Sequence, residues 1–202
     1  MQGSLIPQAI NKCMFDLYWD SATNSPKLAD ATTLTYTDNS KNSVEYSIPQ
    51  EIGKPWKFRI GSSYHYGSCD SGQWTSFGLN KNDVPILRDL IENGNPTPLA
   101  IGDDTWIQPG TRSTLYDYLD SKYPTPPGAD ITLPVVDESL DLTNRPAEIT
   151  AFAAFHIDEI KGSIGPNPKF YIEGHLINNF TTSGSSGAGP YYGTYTPPRL
   201  AR

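Results

Sequence analysis

Proline and glycine interrupt this chain so often that long helices do not fit it. There are 18 Pro and 17 Gly among 202 residues. Proline breaks helices, and both residues favour turns. Hydrophobic residues make up 37% of the chain and charged residues 18%, a balance typical of many short strands around a buried core. We therefore predict a mainly β fold, a β-rich α+β class with an antiparallel barrel- or sandwich-like sheet and about two short helices.

Apolar residues at helical spacing mark the two predicted helices. The first covers residues 5–18 and carries Cys13 on its apolar stripe, so that this cysteine faces protein. The second covers residues 83–93, with Pro85 in its first turn and Gly94 at its end. Both are short amphipathic helices that need a sheet to pack against.

The remaining patterned segments are alternating or β-branched and predict strands. They are residues 32–37 and 43–48, which form a hairpin, then 56–60, 99–101, 104–108, 131–136, 149–160 and 169–177. From these we predict three parts: a helix-and-hairpin region over 1–98 that packs on the next part, a β barrel or sandwich over 99–178, and a Gly/Ser/Tyr/Pro-rich tail over 179–202.

The hairpin formed by residues 149–160 and 169–177 sorts its side chains onto two faces. Pairing residue 160 with residue 169 gives an apolar face and a polar face, and it sets His156 opposite Glu173 and diagonal to His175. Such a group could bind a metal, as in a metal-assisted hydrolase. The same pattern is also that of a solvated outer sheet face, which is the interpretation we prefer. We predict no metal here.

The sequence offers no other catalytic centre and no nucleic-acid site. A formal net charge of −7 repels phosphate backbones. None of the short motifs of hydrolases, nucleotide-binding proteins or zinc proteases occurs. Cys69 and His65 share one loop without an orienting third group. We predict no catalytic residue and no cofactor.

The two cysteines leave two alternatives open. Cys13 and Cys69 have no zinc-site spacing. They either form one disulfide in an oxidising compartment or stay as separate buried thiols in a reducing one.

Tyrosine and tryptophan are abundant, with 12 Tyr and 4 Trp. Rings on loops and near the end of the chain suit contact with protein or glycan. The alternative is that aromatic rings fill the β core, which we favour for Trp74, as for Trp56 and Trp106. The candidate contact residues are Tyr64, Tyr66, Trp74, Tyr191, Tyr192 and Tyr195.

Several short motifs follow one another along most of the chain. They are Ser4-Leu5-Ile6-Pro7, Ala9-Ile10, Asn11-Lys12-Cys13-Met14, Gly72-Gln73-Trp74-Thr75-Ser76-Phe77, Val84-Pro85, Gly94-Asn95, Ile101-Gly102-Asp103, Gln108-Pro109-Gly110-Thr111, Leu133-Pro134-Val135-Val136, Ala151-Phe152-Ala153-Ala154-Phe155 and the closing run from Gly189 to Leu200. In their order and extent these motifs resemble the TadG-like proteins of bacterial tight-adherence (Flp, type IVc) pilus systems.

The resemblance implies a non-enzymatic component of pilus assembly, surface adherence and biofilm formation. Its partners would be other pilus components, pilin-like and assembly subunits. The family's domain lies on the periplasmic or extracellular side of the envelope behind an inner-membrane anchor, which would belong to a segment upstream of this sequence. An oxidising periplasm favours a Cys13–Cys69 disulfide. A carbohydrate-binding or adhesin module is the alternative function.

Overall fold

A computed structural model describes residues 2–38, 44–61, 65–66, 69–81, 83–108, 112–137, 144–162, 170–178, 180–182 and 194–195. Within these residues three α-helices occur: α1 (Lys12–Tyr18), α2 (Val84–Asn93) and α3 (Ser113–Lys122). The strands are β1 (Gln2–Leu5), β2 (Gln8–Asn11), β3 (Trp19–Asp20), β4 (Ser25–Pro26), β5 (Thr33–Asp38), β6 (Val44–Pro49), β7 (Lys57–Ile60), β8 (His65–Tyr66), β9 (Cys69–Asp70), β10 (Gln73–Trp74), β11 (Asp104–Ile107), β12 (Ala129–Val136), β13 (Arg145–Lys161), β14 (Tyr171–Leu176), β15 (Phe180–Thr182) and β16 (Thr194–Tyr195).

One curled, ten-stranded sheet organises the described part of the chain. Strands β12, β13, β14 and β7 are antiparallel neighbours, as the sequence predicts. Strands β1 and β2 join β12 in parallel, and β15 joins β1 in parallel. The β-rich α+β fold class is thus confirmed, with a parallel edge added to the antiparallel centre.

Strand pairing closes into a ring at one end of the sheet. Strand β2 pairs with both β12 and β10, and β13 pairs with both β12 and β11. A bridge between Thr75 and Ile107 joins the β10 side to the β11 side. The Gln108 N–H donates to the Trp74 carbonyl at 2.8 Å across the same junction. A closed ring satisfies its backbone groups internally and leaves no edge there.

Aromatic side chains fill the core between the sheet and the helices. The Phe58 ring stacks on Tyr18 at 4.5 Å and meets Phe155 edge-on at 5.4 Å. In the same core cluster Trp74 meets Tyr116 of α3 edge-on at 5.2 Å. Helix α3 packs on β13 and α2 packs on α3. Buried residues of α1, the sheet and α3 therefore form one core.

The outer edge of β7 is covered by two side chains. The Gln50 side chain accepts from the Lys57 N–H at 2.9 Å and donates to the Lys57 carbonyl at 3.0 Å. At the other end, the Ser71 hydroxyl accepts from the Gly61 N–H at 3.2 Å and donates to the Gly61 carbonyl at 2.6 Å. Each side chain thus takes the place that a neighbouring strand would have at that residue.

The prediction of a helix over residues 5–18 was wrong in its first half. Strand β2 occupies residues 8–11, and the helix begins at Lys12, where the Asn11 side chain accepts from the Cys13 N–H at 2.8 Å. Every residue of β2 is buried. A continuously buried strand looks like a helix stripe in sequence, since apolar spacing no longer separates the two.

Other boundaries were closer. The hairpin predicted over 32–37 and 43–48 is β5–β6, and the helix predicted over 83–93 is α2. Residues 99–101 form no strand, and α3 was not foreseen. Strand pairing crosses the predicted boundary at residue 98, since strands before it pair with β12 and β14. The two parts therefore share one sheet.

Candidate functional site

A row of polar side chains crosses one face of the sheet at right angles to four strands. Asp130 of β12 pairs with His156 of β13, His156 pairs with His175 of β14, and His175 pairs with Lys57 of β7. We call these four residues the histidine row. Directly paired residues point to the same face of a sheet, so the row is a consequence of strand register.

Both imidazoles of the histidine row are held by carboxylates. His156 Nδ1 lies 2.6 Å from an Asp130 oxygen, and His175 Nδ1 lies 2.9 Å from an Asp158 oxygen. The two ring centroids are 5.2 Å apart, with the ring planes at 42°. A carboxylate at Nδ1 favours the tautomer with its proton on Nδ1, which leaves the lone pair on Nε2.

Asp158 lies two residues after His156 on β13, so alternation places it on the same face as the histidine row. The register of β13 against β14 shifts between Ile157 and Glu159, which makes Asp158 the extra residue of a β-bulge. Burial alone would raise the pKa of Asp158, but the hydrogen bond and charge of His175, followed by Lys57 and His156, hold that pKa below its usual value. Asp158 is therefore a carboxylate that the folded state keeps ionised.

A second polar cluster, centred on Arg59, lies next to the histidine row. Arg59 Nε donates to Glu173 at 2.8 Å, its Nη1 donates to the Tyr36 hydroxyl at 3.1 Å, and its guanidinium lies 3.9 Å above the Tyr171 ring. The Tyr171 hydroxyl donates to Glu159 at 3.0 Å. Burial raises the pKa of Tyr36 to about 12. These contacts attach the β5–β6 hairpin to the sheet, so we assign the cluster a role in the stability of the fold.

The predicted division into faces was confirmed, but the predicted register was wrong. Phe155 pairs with Leu176 and Ile160 with Ile172 on the apolar side, while His156 pairs with His175 rather than with Glu173. The cause is that β13 continues to Lys161 and contains the bulge, which moves the pairing by two to three residues. Among the described residues, no group of three or more His, Cys, Asp or Glu side chains converges as a metal site.

The candidate contact aromatics divide into three groups. Trp74 is fully buried, with 0% of its surface exposed, so its place in the contact set was wrong and its core-filling alternative holds. Tyr66 lies in β8 and Tyr195 in β16, and the structure describes only the backbone of these two residues. Tyr64, Tyr191 and Tyr192 lie outside the described residues.

The Cys13–Cys69 disulfide forms, with 5.6 Å between the two Cα atoms. It joins α1 to β9 across 56 residues of sequence, and Cys69 is buried. The alternative of two separate thiols is thereby excluded. A bridge of this span fastens the N-terminal helix to the loop region that follows β7.

An apolar groove of about 290 Å³ opens on the surface beside the end of β14. Pro26, Leu28, Pro55, Leu176 and Ile177 give it an apolar lining, and we call it the Leu28 groove. Leu28 is 58% exposed, and Ile52, in the adjoining turn, is 66% exposed. The Gly53 N–H donates to the Ala29 carbonyl at 2.9 Å, which fixes that turn beside the groove.

Sequence reasoning missed the groove and three of the charged positions. Asp130, Lys57 and Arg59 lie on strands other than the hairpin that carries the histidines. The alternation of polar and apolar residues along β7 and β12 indicates which of their side chains share a face. Only the strand order shows that these side chains lie next to the histidines. The groove combines residues from three separate segments, around residues 25–28, 55 and 176–178, and has no local pattern.

No protein-family model matches the sequence, and comparison with curated proteins and with solved structures finds no match. Among the described residues no helix is long and apolar enough to span a membrane.

The lowered pKa of Asp158 predicts a specific acid response. A carboxyl group whose pKa is lower in the folded state stabilises the protein above its unfolded pKa of about 3.9, and that contribution is lost as the pH falls through the folded pKa. Carboxyl groups titrate between about pH 5 and about pH 2. Over this range we expect the unfolding free energy of the wild type to fall more steeply than that of Asp158→Asn. Urea titrations at several pH values measure the difference.

The matched control is Asp104→Asn, which removes an exposed carboxylate from β11. Its acid response should run parallel to that of the wild type. Parallel curves for Asp158→Asn as well would contradict a stabilising role for the ionised Asp158 carboxylate.

Proposed function

We propose that this chain is an envelope-side, protein-contact component of a bacterial tight-adherence pilus system that serves assembly and surface adherence without catalysis. The observation that carries the proposal is the Cys13–Cys69 disulfide, in which Cys69 is buried and Cys13 partly buried. Structural disulfides persist in oxidising compartments such as the periplasm and the cell surface and are rare in the bacterial cytosol. The envelope side is therefore the location that best accounts for the bridge.

Several of the motifs that resemble TadG-like proteins lie in strands that adjoin one another. Residues 8–11 form β2, residues 73–74 form β10, residues 133–136 lie in β12 and residues 151–155 lie in β13. These strands adjoin one another in or beside the ring at one end of the sheet. These motifs thus help to form one part of the sheet, and a family that shares them would share that part of the fold. The pilus role itself is inferred from the resemblance.

The Leu28 groove supplies the surface for the proposed contact. Its apolar lining and the exposed Leu28 and Ile52 side chains would be removed from water by a partner, and such burial drives most protein association. Exposed apolar side chains that lie together typically mark interaction sites. The occupant that we propose is another subunit of the pilus machinery.

Site-specific photocrosslinking in the native envelope tests this function. A photoreactive phenylalanine analogue replaces Leu28 or Ile52 in the full-length protein, and mass spectrometry identifies the captured proteins. Pilin-like or pilus-assembly subunits should be captured at both positions. Leu79, which is 38% exposed on a short 3-10 helix, is the matched control and should capture these subunits at least about tenfold less.

Two results would overturn the proposal. Equal capture of pilus subunits at Leu79 would show that the Leu28 groove is not their contact surface. Capture of no pilus subunit at any position, together with binding of the purified domain to immobilised glycans, would replace pilus assembly with adhesion through sugars.

A further inference from the structure

We propose that His156 and His175 form a two-histidine binding site for a divalent transition metal, with Zn²⁺ as the representative ion. The two residues are direct cross-strand partners in β13 and β14. Their rings lie 5.2 Å apart, on one face of a rigid sheet. This inference is independent of the proposed pilus role.

The hydrogen bonds of both rings leave the metal-binding nitrogens available. Each Nδ1 is occupied by a carboxylate, at 2.6 Å in His156 and at 2.9 Å in His175. Among the described residues, neither Nε2 has a hydrogen-bond partner. A histidine that binds a metal usually donates its other ring N–H to a carboxylate or carbonyl, which fixes the tautomer and orients the ring. Here both histidines already have that support.

Access and geometry suit a chelate. The His156 side chain is 28% exposed and the His175 side chain 22% exposed, so an ion reaches them without opening the core. Two metal–nitrogen bonds of about 2.0–2.1 Å at a tetrahedral angle bring the two Nε2 atoms to about 3.4 Å from each other. The ring centroids are 5.2 Å apart, and the χ2 torsion of histidine is broad, so both rings can turn toward one shared ion.

The donor set selects the kind of ion. Imidazole suits Zn²⁺, Cu²⁺ and Ni²⁺, whereas Mg²⁺ and Ca²⁺ require oxygen ligands. No third protein ligand converges in the described part of the chain, so water completes the coordination. Asp130 and Asp158 bring two negative charges, and Lys57, with its Nζ 3.9 Å from Asp158, offsets one of them. The charged side chains around the two rings thus remain net negative and favour a cation.

Isothermal titration of the untagged, disulfide-bonded protein with ZnCl₂ tests the site. The chain has 3 His residues in all, so each can be changed singly. We expect saturable one-to-one binding. His156→Gln and His175→Gln should each weaken it by at least about tenfold, since even outer-shell partners contribute about 10–100-fold to affinity. His65→Gln is the matched control and should bind like the wild type.

A second measurement on the unaltered protein covers the case in which a histidine variant fails to fold. The Cu²⁺ complex should show the hyperfine pattern of two nitrogen ligands by electron paramagnetic resonance. MgCl₂ should give no heat of binding. The proposal is overturned if Zn²⁺ does not saturate, if binding survives both histidine substitutions, or if the Cu²⁺ spectrum shows fewer than two nitrogens.

Discussion

Replacing both Cys13 and Cys69 with alanine is expected to lower the free energy of unfolding by about 4 kcal/mol. The physical reason is that the bridge closes a loop with a sequence separation of 56, and opening it restores conformational entropy to the unfolded chain. Domain stabilities lie at about 5–15 kcal/mol, so the loss would remove a large part of the total. Urea denaturation followed by circular dichroism measures it.

The single variants Cys13→Ala and Cys69→Ala serve as internal controls. Each already breaks the bridge, so each should lose nearly as much as the double variant. Addition of a reductant should destabilise the wild type by a similar amount and leave the double variant unchanged. An additive pattern, in which each single change costs half of the double, would show that packing of the sulfur atoms rather than the covalent link stabilises the fold.

Phe58→Ala is expected to cost about 3–5 kcal/mol of unfolding free energy, the usual range for removing a buried Phe. Phe58 is fully buried and its ring contacts both Tyr18 and Phe155. It therefore connects the α1 side of the core to the central strand β13. Urea denaturation at neutral pH gives the value, and an unchanged slope of the transition indicates that only stability has changed.

Two further substitutions serve as comparisons for the stability loss expected of Phe58→Ala. Phe58→Leu keeps an apolar side chain of similar volume and should cost less than about 1.5 kcal/mol. Ile52→Ala removes a side chain that is 66% exposed and should lie within about 0.5 kcal/mol of the wild type. If Phe58→Ala were as mild as Ile52→Ala, the contact of Phe58 with Tyr18 and Phe155 would not stabilise the fold.

The elements that could be predicted from sequence are those with a local and unambiguous signal. Helix α2 has a Pro in its first turn and Gly94 at its C-cap, where φ is 77°, a conformation that favours glycine. The β5–β6 hairpin alternates along both strands. Helix α3 had a weaker signal, the buried Leu115, Tyr116 and Leu119 at helical spacing, which turn-forming residues on either side obscured.

The N-terminal segment could not be assigned correctly because its environment is set by distant strands. Strand β2 lies between β10 and β12, which come 62 or more residues later in the sequence. Burial on both faces removes the alternation that would identify a strand. Whether such a segment forms a helix or a strand therefore depends on its pairing with those distant strands.

The histidine row shows how far sequence reasoning reaches toward the candidate site. Parity along β13 and β14 is enough to place His156 and His175 on one face. Parity also places Asp158 on that face, but it cannot reveal the bulge between Ile157 and Glu159 that shifts the register. Asp130 comes from a third strand, so its pairing with His156 depends on strand order, which no local pattern encodes.

The side chains that cover β7 have a consequence for behaviour at high concentration. An uncovered strand at the side of a sheet is a template onto which a second molecule can add its own strand, the first step of domain swapping and of fibril growth. At Lys57 and Gly61 an incoming strand would first have to displace Gln50 and Ser71 from the backbone groups that they occupy. This side of the molecule is thereby protected against intermolecular strand addition.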